Sequence, residues 1–199
     1  MLGFNFKKAV QALVFVAEKE KPAAAINKMK AFKLLWLADR AHLRNYGRTI
    51  LGDIYFALNY GPIPSNTKDL AENSSFLSDI EREYREMYLV TTDKYTYYGA
   101  KNCDMSVFSK TDIEMFEATW NVFGMKTPFE LSEISHEYPE WKKHETALKS
   151  GQASRFLMDY EDFFLNTSSE NESFFRESPT LLELSKEIYI ETEIIKHLV

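Results

Sequence analysis

Asp39 and His42 stand three residues apart in a stretch that reads as helix, which puts a carboxylate and an imidazole on one helical face. Such a pair can orient a buried histidine, hold a metal together with a third ligand, or act as a general base. His136 is the side chain that would complete either a metal site or a pocket with them. The chain has no His-x₃-His pair, and the one cysteine, Cys103, excludes a cysteine-built zinc cage, so no metal is expected. Gly-x-Ser-x-Gly and Gly-x-x-x-x-Gly-Lys are both absent, and Cys103 has no obvious local base. An enzyme would have to assemble its site without a recognisable motif. The reading is therefore no catalytic residues and no cofactor.

The elements that must position these residues are mostly helices. Asn5 caps a first helix with Phe6, Ala9, Val10, Leu13, Val14 and Ala17 at helical spacing, ended by Lys21-Pro22. A second helix runs from about Ala24 to Tyr46, stopped by a left-handed Gly47. Residues 48–65 are irregular: Gly52-Asp53 turns, 54–60 are extended or a short helix, and Gly61-Pro62-Ile63-Pro64 is stiff, with Ser65 capping the next helix. A further helix covers 76–87, and residues 88–101, dense in Tyr, Thr and Val, read as a β-hairpin holding the only confident strands. Ser109 with Asp112 and Thr127 with Glu130 are capping boxes opening two more helices, the second starting on Pro128. Pro139 starts another. The expected fold is mainly α (α+β), a single compact helical domain over 1–165 with one small hairpin. A low-complexity linker at 166–177 follows, then a C-terminal helix over 178–199 packed on the domain or on a partner, with Leu181, Leu184, Ile188 and Ile195 on one side.

Composition bounds the class. At 45% hydrophobic and 15% aromatic over 199 residues the chain has ample core, and no run of 18 apolar residues suggests a membrane span or a signal peptide. A soluble cytoplasmic protein is expected. Charge is split: residues 1–48 carry 10 Lys/Arg against 3 Asp/Glu, net +7, and the remainder carries 14 against 27, net −13. The basic residues read as solvated faces of the first two helices, and the net acidity argues against nucleic acid as a partner. Trp36, Trp120 and Trp141 read as core, with Trp141 the one expected to be partly exposed.

The run Lys33-Leu-Leu-Trp-Leu-Ala-Asp-Arg-Ala-His-Leu-Arg-Asn-Tyr-Gly47, followed by Gly52-Asp53 and by Tyr60-Gly-Pro-Ile-Pro-Ser65, resembles the Panacea antitoxin domain, SocA-like and phage GepA-like. A second block, Leu131-Ser-Glu-Ile-Ser-His-Glu-Tyr-Pro-Glu-Trp141, is similar to a later element of that family. The resemblance covers roughly residues 5–165 and is specific over 33–65 and 131–141. It implies an antitoxin, encoded beside a toxin, that neutralises it by direct protein–protein binding. The toxin would be a small alarmone synthetase or another type, and the assemblies it admits are a homodimer or a heterotetramer. Other readings are a proteolytic adaptor handing the toxin to a protease, a DNA-binding regulator, and a hydrolase with a His/Asp site. The motif residues, and so the candidate toxin-binding residues, are Trp36, Asp39, His42, Tyr46, Asp53, Tyr60, Pro62, Pro64, Ser65, His136 and Trp141.

Overall fold

A computed structural model describes residues 3–20, 25–167 and 170–198. The helices are α1 (Phe6–Lys19), α2 (Lys28–Tyr46), α3 (Ser65–Glu72), α4 (Asp79–Tyr88), α5 (Lys110–Phe123), α6 (Pro128–Ser135), α7 (Pro139–Lys142), α8 (Glu145–Lys149) and α9 (Pro179–Leu198). The strands are β1 (Ile26–Asn27), β2 (Tyr55–Leu58), β3 (Gly61–Pro64), β4 (Leu89–Thr91), β5 (Thr96–Gly99) and β6 (Phe156–Leu157). The mainly helical class of the sequence reading holds.

Local chemistry sets most helix ends as expected. Asn5 accepts the N–H of Lys8 at the start of α1, and α5 and α6 open on the Ser109–Asp112 and Thr127–Glu130 capping boxes. Gly47, at φ 67°, ends α2 in the left-handed conformation with its N–H on the Leu43 carbonyl. The start of α2 differs from expectation. Ile26 and Asn27 pair with Tyr97 and Thr96 as a short strand, and the Asn27 side chain caps the helix from there. Ala24 and Lys21-Pro22, which were to bound these two helices, lie outside the described residues.

Helix α2 is the centre of the molecule. It packs against α1, α3, α5, α6, α9 and β3, and almost every residue from Lys30 to Arg44 is buried. Around it stand two three-stranded antiparallel sheets, in the orders β1-β5-β4 and β3-β2-β6. The first contains the expected 88–101 hairpin, with Val90 opposite Tyr98. The second answers a question the sequence left open: residues 55–64 fold as a hairpin with Phe56 opposite Ile63, and β6 closes it from a hundred residues away, Ala57 opposite Phe156. Its prolines lie on β3, an edge strand, the position where a missing N–H breaks no ladder.

The C-terminal segment is held firmly. Residues Glu170–Phe175 form a 3₁₀ turn whose Phe175 is fully buried, its ring against Phe123 and Tyr138. Helix α9 then lies on α2 through Ser185, with Leu182 and Tyr189 packed against the core. Gly47 permits the contact, because a Cβ there would sit 2.6 Å from the Ser185 carbonyl oxygen. Leu181, Leu184, Ile188 and Ile195 do share a side; it faces solvent except at Ile188, which also packs against Gly47. Among the described residues no helix is long and apolar enough to cross a membrane.

Candidate functional site

The motif residues converge on α2, and most of them are interior. Asp39 is fully buried. One carboxylate oxygen accepts the N–H groups of Ile50 and Leu51 at 2.7 and 3.1 Å, and the other accepts the Tyr55 hydroxyl at 2.8 Å. Burial pushes its carboxyl up to about 7 in spite of these three donors. His42, one turn on, meets other partners. Nδ1 bonds the Arg48 carbonyl at 2.8 Å, and Nε2 lies 3.0 Å from the Thr111 hydroxyl and 3.2 Å from Asp112. The two side chains therefore do not act on one another. Asp39 fixes the turn after α2, and His42 fixes the N-terminus of α5.

Asp112 is the hub of that second network. Lys8 bonds it at 2.6 Å and Arg48 at 2.8 Å. Against the penalty of burial, hydrogen bonds from His42, Lys8 and the Ser109 N–H hold its carboxyl well below the usual carboxylate range. Tyr46, half-exposed, covers the His42 ring at 4.6 Å between centroids.

Asp53 does for α3 what Ser65 was expected to do. Its carboxylate accepts the N–H groups of Asn66 and Thr67 at 2.9 and 2.7 Å, two of the donors a helix start leaves without partners. Ser65 is instead the first residue of α3, its N–H on the Ile54 carbonyl, and Pro64 in the cap position offers no side-chain oxygen. Pro62 and Pro64 are buried. The Pro62 carbonyl accepts the ammonium of Lys33 at 2.8 Å, and burial lowers that fully enclosed lysine to about 7. Gly61, at φ 92°, is required here, since a Cβ would meet the Ser135 hydroxyl at 2.1 Å. Of the motif residues in this run, Asp53, Tyr60, Pro62, Pro64 and Ser65, Tyr60 is the well-exposed one.

His136 and Trp141 stack at 3.7 Å, and burial lowers the histidine's pKa. Trp141, expected to be the partly exposed tryptophan, is enclosed, with its indole N–H on the Leu58 carbonyl at 2.8 Å. Trp120 is the partly buried one, under the ammonium of Lys30. Trp36 is fully buried, edge-on to Tyr138. His136 thus belongs to the α6–α7 corner and His42 to the start of α5, and no chemistry joins them. Among the described residues no group of three His, Cys, Asp or Glu is placed to hold a metal ion.

Sequence reasoning missed the cations of α2. Lys28, Lys30, Lys33, Arg40 and Arg44 were taken as solvated, and all are buried. Arg40 bonds the buried Glu140 at 2.8 Å, its guanidinium lying against the rings of Tyr138 and Phe175. Arg44 reaches the carbonyls of Phe163, Leu165 and Phe175 and the side chain of Asn166. Their type gave no signal of this: α2 is enclosed by α1, α3, α5, α6, α9 and β3, and a helix so enclosed turns its cations inward too.

A concave surface lies at the N-terminal end of α2. It is a cleft of about 450 Å³ between α2, the β2–β3 hairpin, the β4–β5 turn and the start of α6. Phe32 and Ile63 line it, and Tyr60, Tyr95 and Phe129 stand exposed at its rim.

A family model described as "Antitoxin SocA-like, Panacea domain" matches residues 32–142. No curated protein and no solved structure matches the chain.

Proposed function

The chain belongs to the SocA-like Panacea antitoxin family, and from that premise we propose that it neutralises a cognate toxin by direct protein–protein binding. The observation that carries this reading is the family match itself, which spans both motif blocks. The geometry supports it. Asp39, His42, Asp53 and Asp112, the titratable groups of the α2 and α5 networks, are each engaged by partners that fix a turn or a helix start. A toxin therefore contacts other residues. Of the motif, Tyr46 and Tyr60 present substantial surface, and the exposed apolar side chains of the α5–α6 corner and of α9 add to it. Inward-turned cations on α2 leave fewer charges for a phosphate backbone, which favours a protein over nucleic acid as the partner.

Co-expression of the full chain with the product of the gene adjacent to its own tests the reading. Restored growth and co-purification of the two proteins at a fixed ratio are expected. Unrelieved toxicity with no complex would sink it.

A further inference from the structure

The cleft at the N-terminal end of α2 has a chemistry at odds with the protein's net charge of −6. Its rim residues Tyr60, Tyr95 and Phe129 are 64%, 63% and 68% exposed, an aromatic grouping typical of the centre of a protein interface. Three lysines border it: Lys28, Lys68 and Lys94. Two carboxylates, Glu72 and Asp93, stand beside them and keep their charge. Glu72 pairs with Lys68 at 2.6 Å, and Asp93 accepts the N–H groups of Tyr95 and Thr96 at 2.6 and 2.8 Å. Lys28 places its ammonium on the carbonyls of Asp93 and Lys94 at 3.2 and 3.1 Å, two acceptors for three donors. Lys94 lies over the Tyr95 ring at the rim. The cleft is thus apolar within, and its edge sets three lysines against two carboxylates, a local excess of one positive charge carried by the exposed Lys94.

We propose that this cleft receives an acidic amphipathic segment of the toxin, apolar side chains seated between Tyr60, Tyr95 and Phe129 and a carboxylate meeting the exposed Lys94. Charge complementarity selects the occupant: on a chain of net −6 this apolar cleft has a locally positive edge, which favours an acidic segment over a basic one. The inference rests on the antitoxin reading above and adds a location and a partner chemistry to it.

The test is calorimetric titration of the full chain with the adjacent gene's product, at low and at high salt. The pair Tyr95→Ala with Phe129→Ala should weaken binding at least about 30-fold, as loss of a hot spot does. Lys94→Glu should weaken it at low salt, with the deficit shrinking as salt rises. These side chains point into solvent, so melting temperatures should match the parent chain. If the parent chain binds and both variants bind equally well, the cleft is not the site and the antitoxin reading stands. Loss instead on Leu184→Ser with Ile194→Ser would move the site to α9 and overturn the proposal. So would a dimer of the chain alone that the cleft variants dissociate, since the occupant would then be a second copy. A parent chain that binds no toxin overturns the antitoxin reading and this one with it.

Discussion

Replacing Arg44 by methionine should release the C-terminal segment from the body of the protein. The guanidinium is fully buried and donates to the Phe163 carbonyl at 2.9 Å, to the Phe175 carbonyl at 3.0 Å and to the Asn166 side chain at 2.6 Å. It also reaches the Leu165 carbonyl, which Arg40 holds independently at 2.9 Å. Methionine keeps much of the volume and none of the donors. The carbonyls of the buried Phe163 and Phe175 would then lack this partner, at about 1–3 kcal/mol each. Removing a buried charge returns part of that, so a net loss of about 2–4 kcal/mol is expected, a large share of the roughly 5–15 kcal/mol that holds a domain folded. Urea denaturation measures the loss. Limited chymotrypsin digestion locates it: Phe175 is enclosed in the parent chain and should become a cleavage site that frees α9. Arg44→Lys restores the charge without the planar fork and should recover only part of the stability. An Arg44→Met protein within about 0.5 kcal/mol of the parent, the range of an ordinary surface change, and cut no faster would refute this account of the segment.

Stability should also depend on pH through two groups of α2. Asp39 titrates near 7 in the folded chain against 3.8 unfolded, so the folded state holds the extra proton between those values. Its contribution is full below about pH 4 and is lost as pH rises through 7, at up to about 1.4 kcal/mol per unit. Lys33 is lowered to about 7 from 10.5, so above pH 7 the unfolded chain binds the extra proton and stability recovers towards 10.5. Urea midpoints across pH 4–10 should pass through a minimum near 7 whose acidic limb flattens in Asp39→Asn; a limb of unchanged slope in that variant would contradict the assignment. Gly47→Ala forces a Cβ to 2.6 Å from the Ser185 oxygen and 2.8 Å from Ile188 at a positive φ, and should destabilise by more than about 1 kcal/mol in thermal melts. His42→Asn should lower stability and toxin neutralisation in step, by about 1–3 kcal/mol, because Nδ1 and Nε2 both hold structure. Neutralisation lost at full stability would instead mark His42 as a functional group.

Much of the helical framework was legible because it is written locally. Asn5, Ser109 and Thr127 sit next to the N–H groups they accept, and Gly47 is the residue whose backbone tolerates the left-handed stop. The motif run 33–65 was legible as a family signature for a related reason: Asp39, Gly47, Asp53 and Gly61 each hold a turn or a helix end, and such a place demands particular residue types. What those residues face was not legible. Ser65 reads as a cap from its type, yet the cap comes from Asp53, twelve positions earlier and brought over by the β2–β3 hairpin. Lys33, Arg40 and Arg44 read as surface from their charge, yet α2 is enclosed on every side and its cations find carbonyls and Glu140 supplied by residues 62, 140, 163, 165 and 175. The pairing of Ala57 with Phe156 and the side of α9 that meets α2 have the same origin. Short-range hydrogen bonding and periodicity determine where helices begin and end. Burial is a property of the whole packing, and only the tertiary structure assigns it, because the groups that enclose a side chain lie far from it along the chain.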